Sequence, residues 1–292
     1  MIIQSLYTYA THENVVLDCD VYTHEDETDV PEVPVLLFFH SGAGGLLEDA
    51  TAAYEFAQTY GASVTGHKRQ VVVAGASAGF FMASLIAFHS EPKPAVLLSI
   101  TGIPTFRHPF FSSSVLLTPT PIKDDEVEEF ISGPAMVGST PVHDPAVFST
   151  SQLLPSGEKN PEYVRPPKPP TDATSDQLGR NCLYDYYLHK NAFTDLVGSV
   201  DPGFQWGSDG ATTRPTTPPR SWPRTIFIQG AGDRDVAVAV TTDTAEYLGP
   251  EKAEVFLAQE QGHLFEAMSY LEDEGPGMDV VREAIRALDA KF

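Results

Sequence analysis

The sequence predicts an α/β protein: a mostly parallel central sheet flanked by helices, interrupted by a proline-rich insertion. Three observations carry this. Short apolar runs of strand length alternate with helix-length amphipathic segments, the pattern of βαβ units. One of these runs, Val71-Val72-Val73-Ala74, leads directly into Gly75-Ala76-Ser77-Ala78-Gly79 and then into a helix-like stretch, Phe80 to His89. Finally, 16 of the 24 prolines fall between residues 106 and 222, which excludes a continuous sheet or long helices there.

In chain order, residues 5–21 read as a β-hairpin, with Val15, Val16, Leu17 and Val21 as its apolar positions. An acidic turn from His24 to Glu32 leads to the strand Val35-Leu36-Leu37-Phe38-Phe39. Residues 47–60 place Leu47, Ala50, Ala53, Tyr54, Phe56 and Ala57 on one helical face. The run ending at Ala74 and the helix after Gly79 follow. Pro94 to Ile100 is the next strand, Arg224 to Gly230 another, and Ala253 to Leu257 the last. The chain closes on an amphipathic helix from Val280 to Phe292. Residues 1–105 and 223–292 therefore read as the core, and 106–222 as a cap of short helices, with Phe110-Phe111, Asp125 to Ile131 and Leu183 to Leu188 apolar enough to pack. Insertions of this kind are common places for substrate selection.

Gly-x-Ser-x-Gly is frequent by chance, and its plainest explanation is a small-residue turn between buried elements. Strand before and helix after give it chemical meaning. A sharp turn in that context lifts a serine hydroxyl clear of the sheet, and small flanking residues let the helix pack close to the strand. Serine needs a base to take its proton and a third group to orient that base. His263 follows the last strand through Gln259-Glu260-Gln261-Gly262, and Asp233 and Asp235 follow the strand before it. The order is serine, acid, histidine.

Four segments together resemble the α/β-hydrolase superfamily, esterase/lipase branch related to hormone-sensitive lipase: His40-Ser41-Gly42-Ala43-Gly44-Gly45, Gly75 to Gly79, Gly230-x-x-Asp233-x-x-Val236 and Gly262-His263-Leu264-Phe265. The stretch Gly179 to Leu188 is similar to a cap helix of that family. The resemblance implies a catalytic triad of Ser77, Asp233 and His263. It also implies an oxyanion hole from the backbone N–H groups of Gly42, Ala43 and Ala78, with His40 shaping the loop. Asp233 occupies the position of the family's acid, and Asp235, two residues on and within reach of the same space, reads as a solvated loop charge. Phe110, Phe111, Tyr184 and Tyr187 supply candidate walls of a substrate pocket. The activity implied is hydrolysis of small to medium apolar carboxylic esters without a cofactor or metal. A catalytically impaired relative acting as a binding protein is the alternative, as is a peptidase or thioesterase on the same triad.

The net charge of -22, from 40 acids against 18 bases, argues against nucleic acids and anionic membranes as partners and disfavours anionic substrates. Cys19 and Cys182 read as two buried free thiols. The other histidines read as polar surface or cap residues, His108 among them, and His89 as meeting terminal carbonyls of its helix. The opening residues lack a basic start and a long apolar run, and no span is long enough to cross a bilayer, so the expectation is a cytoplasmic protein. One departure from the family is large. Only 37 positions separate His40 from Ser77, room for one helix and no strand. The sheet should therefore have one strand fewer than usual, with Val15 to Val21 moving in beside Val35 to Phe39. Left open, that apolar edge would favour a homodimer.

Overall fold

The computed structural model describes residues 2–12, 15–24, 33–40, 47–61, 68–133, 154, 160–163, 179–204, 221–267 and 269–290. Its core is a five-stranded, all-parallel sheet formed by β3 (Val35–Phe39), β4 (Val71–Ala76), β5 (Val96–Ile100), β6 (Arg224–Gly230) and β7 (Ala253–Ala258), in that spatial order. Between them run α1 (Leu47–Thr59), α2 (Ala78–His89), α6 (Val238–Leu248) and, at the end, α7 (Met278–Asp289). In the insertion lie α3 (Asp124–Ser132), α4 (Cys182–His189) and α5 (Phe193–Val197).

Alternation along the strands divides the core into two layers. Val71 and Val73 of β4, Leu97 of β5 and Phe227 of β6 point to the face covered by α1, α2 and α6. Val72, Ala74, Val96, Leu98, Ile226 and Ile228 point to the other face, against Met278, Val281, Ala284 and Leu288 of α7. Because both faces are covered, β4 reads as a continuous apolar run buried at every position. Helix α2 has no polar stripe, since everything from Gly79 to Ala87 is buried. Each such Leu, Ile or Phe contributes about 1.5–3 kcal/mol through burial. The parallel strands put their C-terminal ends on one edge, where loops of the site collect.

The N-terminal strands correct the sequence expectation. β1 (Ile2–His12) and β2 (Val15–His24) pair antiparallel with each other and form a separate two-stranded sheet. β2 does not move in beside β3. The aromatic side chains explain where the hairpin goes instead. Tyr7 packs on Phe56 and Tyr60, with ring centroids 5.8 and 5.4 Å away, so α1 holds β1. Among the described residues β3 is thus an edge strand, bonded to β4 alone. Leu36 and Phe38, on the face beyond the reach of α7, are 57% and 48% exposed. The described part of 46–70 contains a helix and no strand.

The Val35 N–H bonds the Gln70 carbonyl, so in a parallel pair Val35, Leu37 and Phe39 face β4, and Leu36 and Phe38 face away. The Leu36 and Phe38 amides are expected to exchange faster than those of Leu37 and Phe39 in NMR-detected exchange. Equally slow exchange at all four would mean that another chain or segment pairs with this edge.

The insertion is tied to the core by Asp201, which is 2% exposed. Its carboxylate accepts from the Thr105 hydroxyl and from the backbone N–H groups of Phe106 and Gly203. Cys19 and Cys182 are both free. Cys182 is buried as expected, against Ile122 and Val127, while Cys19 is only half-buried. No helix among the described residues is long and apolar enough to cross a membrane.

Candidate active site

At the C-terminal edge of the sheet, Ser77 follows β4 in a turn with φ 52° and ψ −127°, a region L-residues avoid. Three bonds hold it there. The Ser77 N–H donates to the Ile100 carbonyl at 3.0 Å, and the Ser77 carbonyl accepts from Phe80 and Ile103 at 3.1 and 3.0 Å. The turn leaves no room for side chains on either side. A Cβ on Gly75 would overlap the Gly79 backbone, and one on Gly79 would overlap the carbonyls of Phe39 and His40. Close packing of helix, Ser77 turn and β3 therefore requires both glycines.

Asp233 and His263 arrive on two loops stitched together. The Gly232 N–H donates to the Gln261 carbonyl at 2.8 Å, and Ala231 N–H to Ala258 at 2.9 Å. Gly230 permits the approach, because a Cβ there would stand 2.5 Å from the carbonyl oxygens of Gln261 and Gly262. His263 Nδ1 lies 2.8 Å from Asp233 Oδ2, and His263 Nε2 lies 3.0 Å from Ser77 Oγ. Since an ionised carboxylate only accepts, the ring proton sits on Nδ1 and leaves Nε2 free to accept from the serine. The Asp233 side chain is wholly buried, while that of His263 is 16% exposed. Oδ1 of Asp233 accepts from the backbone N–H groups of Asp235 and Val236 at 2.9 and 3.0 Å.

Asp235 is not the solvated charge its loop position suggests. It is half-buried, and its carboxylate lies within a 4.8 Å cluster with ligand atoms of Asp233 and His263. Burial pushes its pKa up. The cluster is a poor metal set, because both imidazole nitrogens are already engaged, by Asp233 and Ser77. Glu266 is a third acid near the ring. Burial raises its pKa too, and its buried Oε2 has no hydrogen-bond partner among the described residues. From the insertion, Asp185 of α4 has its pKa pushed up to about 6, by burial first and by Asp235 second.

These acids act on the imidazole. Burial alone lowers the His263 pKa, but the hydrogen bond and charge of Asp233, with Asp235 and Glu266, outweigh it and bring the pKa above its ordinary 6.5. A protonated His263 cannot take a proton from Ser77. Any reaction starting from the neutral ring is therefore expected to lose rate as pH falls through a midpoint above 6.5. Asp235→Asn removes a negative charge, destabilises the imidazolium and should move that midpoint down. NMR titration of the His263 ring in both proteins measures the shift; an unchanged or higher midpoint in the variant would contradict the assigned cause.

Among the other expected positions, Ala78 is the first residue of α2, so its N–H has no acceptor within the helix. Gly42 and Ala43 lie outside the described residues. His40, at the end of β3, is exposed. Phe111 is wholly buried and packs against Phe106 and Phe110, so it supports the aromatic core and forms no pocket surface. Phe110 and Tyr187 are partly buried at the edge of the same core. Tyr184 is more than wall: its hydroxyl donates to the Asp235 carbonyl at 2.5 Å and so joins α4 to the acid loop. His108 is buried, correcting the surface reading. Its Nδ1 accepts from Phe110 N–H at 3.1 Å, and its Nε2 lies 3.4 Å from Asp243. His89 Nε2 reaches the Val200 carbonyl at 3.0 Å, not a carbonyl of its own helix. The sequence reading missed Gln229, whose amide donates to Asp233 Oδ2 at 2.9 Å. The available signal was a polar residue directly after the apolar run Ile226-Phe227-Ile228 and just before the acid loop.

No family profile and no curated protein matches this chain. Solved structures do. A Staphylococcus aureus protein of unknown function aligns over 99% of this chain and 100% of its own, with a TM-score of 0.53 at 14% identity. One of two fungal esterases from Rhizomucor miehei aligns over 100% of this chain and 84% of its own, with a TM-score of 0.50 at 12% identity. At such identities the likeness concerns the fold: a parallel sheet flanked by helices, the α/β-hydrolase fold in a form shortened by strands.

Proposed function

We propose that this chain is a serine hydrolase of carboxylic esters, acting on small to medium apolar substrates through an acyl-enzyme. The observation that carries the proposal is the imidazole of His263, spanning Asp233 Oδ2 and Ser77 Oγ at 2.8 and 3.0 Å. In this reading Ser77 Oγ attacks the ester carbonyl carbon as Nε2 takes its proton. The negative oxygen of the tetrahedral intermediate is met by the Ala78 N–H and, following the family resemblance, by those of Gly42 and Ala43. The C–O bond to the alcohol breaks, and the leaving oxygen receives the proton from Nε2. Water then repeats the sequence on the acyl carbon, and Ser77 is regenerated. Asp233 orients the ring and stabilises its cation throughout.

The half-buried acids Asp185, Asp235 and Glu266 support a preference against anionic esters, since each would repel a carboxylate or phosphate near His263. Residues 106–222 serve in this reading as the cap, and the esterase/lipase branch related to hormone-sensitive lipase remains the family proposed. The likeness to a Rhizomucor miehei esterase agrees at the level of fold. A fluorophosphonate probe tests the nucleophile: labelling is expected in the native chain and not in Ser77→Ala. p-Nitrophenyl esters of increasing chain length, with thioester and peptide analogues, test the substrate class. Absent labelling of the native chain would overturn the hydrolase reading, and faster turnover of dicarboxylate esters would overturn the substrate preference.

A further inference from the structure

Gln229 occupies the sixth position of β6 and is completely buried. Its amide makes three bonds. Nε2 donates to Asp233 Oδ2 at 2.9 Å and to the Val236 carbonyl at 3.0 Å, while Oε1 accepts from the Thr241 hydroxyl at 3.0 Å. Thr241, in the first turn of α6, is also completely buried. The orientation of the amide is dictated chemically. The two groups facing Nε2 are a carboxylate and a carbonyl, which only accept, so turning the amide over would press Oε1 against two oxygens. A hydroxyl can donate or accept, and here it must donate.

The two oxygens of Asp233 are held differently. Oδ1 is fixed by two backbone N–H groups of its own loop, Asp235 and Val236. Oδ2, the oxygen that faces His263, receives only the imidazole and Gln229 among the described residues. Gln229 is thus the one side chain from the rigid sheet that anchors the oxygen on which the ring depends. The Val236 bond extends the same grip to the loop backbone.

We infer that Gln229, braced by Thr241, is a positioning residue for the Asp233–His263 pair, fixing Oδ2 so that Nε2 stays directed at Ser77. The inference rests on the triad reading above. Thr241, Gln229, Asp233, His263 and Ser77 form one continuous line from α6 to the nucleophile. Without the Gln229 donor, Oδ2 is free to rotate away, and its charge is shared by one donor fewer. The first effect slows proton transfer; the second strengthens the hold on the imidazolium. The other charged groups facing the ring are Asp235 and Glu266, with Asp185 behind Asp235, and they are untouched by the change.

Gln229→Met keeps length and removes all three bonds. It is expected to lower kcat about 10- to 100-fold with KM little changed, since misplacement of a reacting group by an ångström has costs of this order. The His263 pKa, read by NMR titration, should rise. Thr241→Val should move both readouts in the same direction by less, and Thr241→Ser, which keeps the hydroxyl, should restore them. Rates are referred to sites titrated with the fluorophosphonate, so that loss of folded protein is not counted as loss of catalysis. Native kcat and an unchanged His263 titration in Gln229→Met would overturn the inference, whatever happens to Tm. Should Gln229→Met not fold, the Thr241 pair decides: identical behaviour of the Val and Ser variants would overturn it. Failure of the native chain to label or turn over esters would instead strike the hydrolase reading, while the His263 titration would still report whether Gln229 holds the pair.

Discussion

Ser77→Ala is expected to lower the proposed esterase activity by about 10³-fold or more, and His263→Ala by a similar factor, because the groups act as a unit. The hydrogen-bonded line from Asp233 to Ser77 leaves neither with a substitute. The two acids separate the explanations. Asp233→Asn should be severe, of order 10⁴-fold, since an amide at Oδ2 no longer holds the proton on Nδ1 and disfavours the tautomer that accepts from serine. Asp235→Asn should cost about 10-fold or less, because its carboxylate affects His263 only through its charge. Steady-state kinetics of the four variants on one p-nitrophenyl ester decide the matter. If Asp235→Asn were the more damaging of the two, Asp233 would not be the orienting acid.

Gly79→Ala is the second change expected to have a large effect. The added methyl would overlap the backbone carbonyls of Phe39 and His40, which cannot move as a flexible side chain would. Relief requires α2 to shift away from the end of β3, and with it Ser77 and the Ala78 N–H. Overpacking of this kind costs about 1–3 kcal/mol of stability. Displacing a nucleophile by an ångström costs on the order of 10²-fold in rate. Thermal unfolding and fluorophosphonate labelling of Gly79→Ala should show both losses. A variant labelled at the native rate would mean that the helix and β3 are less tightly apposed than described.

The elements differ in how well they could be read. β4, β5 and β6 are buried on both faces, so each carries a consecutive apolar run, Val71 to Ala74, Val96 to Leu98 and Ile226 to Ile228. α7 has one face in water and one on the sheet, and its pattern is correspondingly clear. The hairpin was legible as a hairpin. Its neighbour was not, because an antiparallel pair satisfies the backbone groups on its inner edges internally and can dock through side chains alone. Tyr7 on Phe56 and Tyr60 settled that choice in favour of α1. Likewise Phe111 and Tyr184 are both aromatic and both lie in the insertion, yet one fills a core and the other bonds the acid loop.

Local events are written in consecutive residues: strand, sharp turn and helix around Ser77, and an acid and a histidine each released at a strand end. Local steric and burial rules act over a few residues, so they leave their mark in consecutive positions. Packing of distant segments sets which oxygen of which acid meets His263, puts Asp235 and Glu266 half-buried near the ring, and brings Gln229 against Asp233 from behind. Those outcomes depend on how the loop of Asp233, 30 residues before His263, is brought against it, on the direction of each side chain and on the dielectric it meets. Burial turns an ordinary carboxylate into a group with a raised pKa, and no property of the residue type records it.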